Sequence, residues 1–82
     1  MSEERPLTFG EAAVGLTFNP SSNGDVDALK HAYAGVIDHL NEFRKGYVAR
    51  KDNPEIVRLL SIAITEAQTA QMWAVKAVTW RG

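Results

Sequence analysis

The stretch from Asn53 to Trp80, NPEIVRLLSIAITEAQTAQMWAVKAVTW, constrains the fold of this chain more than any other. Asn53 reads as an N-cap, Pro54 suits the first helical position, and Glu55 falls in the first turn, where the helix dipole favours an anion. From Leu59 to Val75 the only formal charge is Glu66, and no glycine or proline interrupts the run. The spacing predicts one long helix over residues 53–80. At helical spacing Ile56, Leu59, Leu60, Ala63, Ala67, Ala70, Ala74 and Ala77 form one stripe, and its alanines admit a neighbouring backbone closely. Opposite lie Arg58, Ser61, Thr65, Thr69, Met72 and Lys76, flanked by Ile62, Trp73 and Trp80. A helix that is apolar on two sides needs cover on both. A chain of 82 residues has little to supply for the second side, which points to a homo-oligomer.

A second long helix is expected over residues 25–46, capped by Ser22 or Asn23, with Asp25 and Asp27 in its first turn. Val26, Leu29, Tyr33, Val36, Leu40 and Phe43 follow a three-four spacing, a heptad seam for packing on another helix. Arg44 and Lys45 suit a last turn, Gly46 a C-cap, and residues 47–52 a short link that makes the two long helices antiparallel neighbours. Before them, residues 1–6 read as a mobile charged end, and residues 8–24 as a short helix and a turn-rich arm. Thr8 can cap that helix, and Gly15 is suited to end it. Asn19 before Pro20 is pushed to extended angles, and Ser-Ser-Asn-Gly is turn chemistry. The fold class is therefore all-α: an antiparallel hairpin of two long helices with a short N-terminal helix and arm, residues 1–82 forming one domain.

Composition narrows the function. Apolar residues make up 45% and charged residues 23%, ordinary for a globular chain. There is no cysteine, hence no disulfide framework and no thiolate chemistry. MSEERP lacks the apolar core of a signal peptide, and the polar residues of the last helix make it a poor membrane span. The net charge is −1, and basic residues pair only at Arg44-Lys45 and Arg50-Lys51, which argues against a grip on long nucleic acid. A small anion needs only one or two well-placed cations.

Catalytic arrangements find little support. His31 and His39 have no third ligand type nearby, so they read as surface helix histidines and not as a metal site. Asp27 and His31, four apart, suit an ordinary surface pair. Glu66 reads as paired or partly exposed. No phosphate-binding glycine loop is present, no cofactor is implied, and the chain is not expected to be an enzyme. Binding features are more suggestive. Lys30 follows the arm that carries Phe18, and an aromatic face beside an ammonium suits a nucleobase and its phosphate, although composition alone favours Phe18 slightly as a core anchor. Arg58, Thr65, Thr69 and Lys76 form a polar, cationic stripe beside Trp73 and Ile62. In a monomer that stripe is a solvated face; around a symmetry axis, copies of Arg58 would repel one another unless an anion sat between them.

LTFNPSSNGDVDALK and RLLSIAITEAQTAQMWAVKAVT resemble the helical-hairpin domain of small phage sponge proteins that counter CBASS and related signalling immunity. The resemblance spans roughly residues 15–80, and its most specific pieces are the FNPS turn, SIAIT and MWAVKA. It implies an all-helical protein of the infected host's cytoplasm, assembled as a homo-oligomer, typically a hexamer, that sequesters cyclic dinucleotides and cyclic trinucleotides without cleaving them. For dinucleotides it implies an aromatic before the first long helix and a lysine within it: Lys30 matches the lysine, and Phe18 is the nearest aromatic. For trinucleotides it implies an arginine at the start of the second helix, matched by Arg58, seven residues before Thr65. The candidate ligand-binding residues are thus Phe18, Asn19, Lys30, Tyr33, Arg58, Thr65 and Lys76. A related branch that carries an additional β-domain binds cyclic ADP-ribose isomers, and this chain is too short for that domain. The competing readings are a sponge for those isomers and a structural helical oligomer with no nucleotide ligand.

Overall fold

The computed structural model describes residues 5–19 and 22–82 and contains three helices: α1 (Phe9–Val14), α2 (Gly24–Arg50) and α3 (Pro54–Val78). No strand occurs among the described residues. The expected mobile end lies outside them at residues 1–4, as does the turn at Pro20 and Ser21.

Local chemistry places the helix starts. Thr8 caps α1 in a reciprocal box: its hydroxyl accepts from the Glu11 amide, and the Glu11 carboxylate accepts from the Thr8 amide. Gly15 ends α1 in the left-handed region, with φ 64°. Asn23 caps α2 through the amides of Asp25 and Val26. Asn53 caps α3 with Pro54 directly after it.

The far end of α2 differs from expectation. The helix runs through Gly46 to Arg50, and Lys51, not Gly46, takes the left-handed C-cap position, with φ 56°. Glycine permits a helix end without compelling one. The extra turn sets Tyr47 and Val48 facing Pro54 and Val57 around the link. α3 stops at Val78, two residues before the expected Trp80, where the Thr79 hydroxyl turns back onto the Val75 carbonyl at 2.8 Å.

α2 and α3 pack antiparallel. Near the link Arg44 donates to the Ser61 hydroxyl at 3.0 Å, and farther along Ile37 and Ile64 share a core with Ala34 and Val14, with Leu40, Tyr33 and Ala67 against it. The buried face of α2 is Val26, Lys30, Ala34 and Ile37, so the heptad seam holds only in part: Val26 is buried and Tyr33 and Leu40 lie against the core, whereas Val36 and Phe43 are exposed. A straight helix drifts about 20° per heptad against a 3.5-residue repeat, and α1 claims the Ala34 side. On α3 the inner face centres on Ile64 and Gln71, while Leu59, Ala70 and Ala77 of the expected stripe are exposed. Ser61, expected on the opposite face, turns inward to Arg44.

α1 crosses α2 at close quarters. Asp38 accepts from the Thr8 hydroxyl and the Gly10 amide, each at 2.7 Å. A Cβ on Gly10 would lie 2.1 Å from the Ala34 carbonyl oxygen. Arg5 extends the crossing through both carboxylate oxygens of Glu11, at 2.7 and 2.6 Å. The hydrogen bonds from Arg5, with the Thr8 amide adding to them, hold the Glu11 carboxyl down at about 2. The Cα atoms span 46 × 40 × 12 Å, one helix layer in the thin direction.

Two outcomes follow from the α1 crossing. Gly10→Ala forces α1 off α2 and should cost roughly 1–3 kcal/mol in denaturant unfolding, the usual range for overpacking. The Glu11 carboxyl is depressed in the fold, so its contribution is full above its unfolded value near 4.5 and is lost as pH falls toward about 2. Thermal melts across that window should show a pH-dependent loss that Glu11→Gln removes.

Candidate ligand-binding site

Lys30 projects from the second turn of α2 into the loop that leaves α1, and it is 5% exposed. Its ammonium donates to the Gly15 carbonyl at 2.9 Å and to the Phe18 carbonyl. The left-handed turn at Gly15 brings both carbonyls to the same side. No carboxylate pairs with Lys30 among the described residues. An ammonium carries three donors, so one N–H remains beyond the two carbonyls. The Phe18 ring lies outside this lock, with its centroid 5.4 Å from Nζ, and is 72% exposed. Asn19 clasps the next element: its side-chain amide donates to the Asn23 carbonyl at 2.9 Å, and its carbonyl oxygen accepts from the Asn23 amide at 3.1 Å. Tyr33 is half-buried against the core, nearly one turn beyond Lys30. Phe18, Asn19 and Lys30 therefore form one cluster, an exposed aromatic plate on a loop fixed by a buried cation.

The α3 residues stand elsewhere. Arg58 is exposed near the start of α3 and grips Glu55 with two hydrogen bonds, at 3.0 and 2.7 Å. That pairing moves the Arg58 guanidinium above its ordinary value and the Glu55 carboxyl below its own. Thr65 is exposed, its hydroxyl turned back to the Ser61 carbonyl at 3.2 Å. Lys76 lies near the other end of α3, its Nζ 5.3 Å from the Trp73 ring and 5.8 Å from the Trp80 ring. His31 bonds back to Asp27, Glu66 is solvent-exposed, and no group of three or more His, Asp or Glu side chains suited to a metal ion occurs among the described residues. No helix there is long and apolar enough to cross a membrane.

A family model described as the Acb2/Tad1 hairpin domain matches residues 11–79. The chain belongs to that family. No curated protein and no solved structure matches it. Membership in the Acb2/Tad1 hairpin family points to a phage sponge for cyclic nucleotides, and such sponges are generally binding proteins without catalytic activity.

Sequence spacing set Lys30 beside Phe18 but missed what the ammonium holds in this Acb2/Tad1 hairpin. Carbonyl direction is invisible in a list of side chains; the local signal was Gly15, whose left-handed turn aims them. The Asn19–Asn23 clasp was legible only as turn chemistry. Arg44 was missed as an organiser: its guanidinium also bonds Asn41 at 2.9 Å and sits 5.5 Å from the Phe9 ring, tying α1, α2 and α3 together.

Lys30→Met keeps the length of the side chain and deletes the lock. Hydrogen bonds to a charged donor are worth about 1.5–3 kcal/mol, so stability should fall by roughly that amount. Hydrogen exchange should show the Phe18 amide, which bonds the Gly15 carbonyl at 2.9 Å, losing protection.

Proposed function

We propose that the chain is a phage immune-evasion sponge of the host cytoplasm that binds cyclic di- and trinucleotide messengers of CBASS-type signalling and holds them uncleaved, as a homo-oligomer of hexameric type. The observation that carries this reading is the Acb2/Tad1 hairpin match over residues 11–79. The geometry around Lys30 supports it. Phe18 offers an open ring for a base, the remaining ammonium N–H beneath it suits a phosphate oxygen, Asn19 clasps the same loop to α2, and Tyr33 follows Lys30 by nearly one turn.

Arg58 and Thr65 form the second ligand site of this reading, at a point where protomers meet. A ligand phosphate there takes the place of Glu55 on the guanidinium. The exchange is inexpensive because the Arg58–Glu55 pair is solvent-exposed, where an ion pair contributes about 0–1 kcal/mol. Sequestration needs affinity and enclosure and no nucleophile. The family model carries the names of both sponge branches, which supports cyclic ADP-ribose isomers as a second ligand class.

Calorimetric titration with cyclic GMP-AMP and with cyclic triadenylate, followed by heat release and a check of ligand integrity, tests the proposal. Tight binding with intact ligand recovered is expected. Base stacking on an aromatic is worth about 1–3 kcal/mol, so Phe18→Ala should weaken dinucleotide binding roughly ten- to a hundredfold and leave the fold intact. Arg58→Ala should weaken the trinucleotide selectively; equal loss of both ligands would assign Arg58 to assembly. Heat only with cyclic ADP-ribose isomers would select the second class, and heat with none of the three would leave a structural oligomer.

A further inference from the structure

The outer face of α2 carries a groove that the hairpin does not fill. Around Asp38, Glu42, Phe43 and Tyr47 it encloses about 800 Å³, and a shallower continuation of about 530 Å³ runs over Gly35 and Val36. Gly35 and Gly46 sit eleven residues apart, three helical turns, and so share this face. A Cβ added at either glycine would meet nothing within 4 Å. In a helix interior glycine is less favourable than alanine, and nothing within this chain approaches closely enough to require it. The groove carries the carboxylates of Asp38 and Glu42 beside the exposed Phe43 ring: Asp38 accepts from Thr8 and Gly10, Glu42 is in a solvent-exposed pair with Lys45 at 3.2 Å that exchanges at little cost, and the Arg50 that closes the groove's end is paired with Asp52 at 3.4 Å.

The complementary shape lies on the same chain. Met72, Trp73 and Trp80 project from the end of α3, all about two-thirds exposed, with the Lys76 ammonium held between the two indoles. From Ala67 to Gly82 the chain carries Lys76 and Arg81 and no acidic side chain. This is a cationic, aromatic ridge. Antiparallel packing sets the groove beside the link and the ridge at the opposite end of the hairpin, so the two cannot meet within one molecule.

We infer that the ridge around Trp73, Lys76 and Trp80 of one copy seats in the Gly35–Gly46 groove of the next, with Lys76 facing Glu42 and Asp38. The contact is heterologous: each copy gives a ridge and receives one. Such a contact closes into a ring when the rotation between copies allows it. The inference rests on the oligomeric reading above and adds to it which surfaces meet and what charge pairing fixes their register. The glycine floor admits the flat indoles, and the carboxylates exclude a like-charged or inverted partner.

The test is a reciprocal charge swap in the full chain, read by sedimentation across a concentration series, with circular dichroism as a check on the fold. Glu42→Lys and Lys76→Glu should each weaken self-association by roughly tenfold or more, and the double variant should recover most of the loss. A Cβ at Gly46 meets nothing within 4 Å in the single chain, so Gly46→Leu should keep the helical fold while association falls. Wild-type association in either single swap, or a double variant no better than the singles, overturns the pairing. If the swaps change nothing while the wild type remains an oligomer, this interface fails and the oligomeric reading stands. A wild-type chain that stays monomeric at every concentration overturns both.

Discussion

A hairpin one helix thick leaves every long helix with a face it cannot cover. The radius of gyration is 14.8 Å, where a compact domain of this length would have about 12 Å. Among the described residues, only Val14, Val26, Ala34, Ile37 and Ile64 form the buried apolar core. The fold therefore leans on a few well-placed polar contacts: Asp38 at the α1 crossing, Lys30 under the loop, and Arg44 among all three helices. Each sits where one element must be held against another and too little apolar area is available to do it.

Lys30 shows how that economy shapes the candidate site. Burying an ammonium is costly unless its donors are satisfied, and two loop carbonyls satisfy two of the three. The carbonyls in turn fix the loop and aim the Phe18 ring outward. Stability and presentation of the aromatic thus come from the same contact. A loop already fixed has less entropy to lose than a mobile one if a ligand stacks on it.

What the sequence disclosed divides along the same physical line. Thr8, Gly15, Asn53 and Pro54 were legible because a cap satisfies backbone groups within a few residues of itself. The seam through Val36 and Phe43 was not, because its phase on α2 depends on where α1 crosses, and that crossing rests on Gly10 meeting Ala34, far from it in the sequence. Ile64 and Gln71 were passed over for the alanine stripe for the same reason: helical spacing defines faces but not which of them turns inward. Gly46 was read as a stop because glycine often ends helices. In this chain the helix simply continues, and the glycine opens the outer face instead. At the site, residue types placed Lys30 beside Phe18, whereas the carbonyl lock needed backbone directions that no side-chain pattern contains.

Satisfaction inside the chain moves the question of function to its surfaces. Among the described residues no buried side-chain nitrogen or oxygen lacks a partner, and the exposed ion pairs Arg58–Glu55 and Lys45–Glu42 are held in solvent, where they exchange at little cost. Apart from the third donor of Lys30, the interior therefore holds no polar group in reserve for a ligand. The groups available for recognition are the Phe18 ring, the last donor of Lys30, and the cationic and aromatic side chains along the outside of α3. Those on α3 are spread along a helix of 25 residues and cannot converge on a small ligand within one copy. Convergence requires other copies, and once guanidinium groups are gathered, their mutual repulsion is relieved by an anion between them. In the assembly proposed above, a ligand that bridged copies would bind the assembled state more tightly than the free chain, so assembly and anion binding would favour each other.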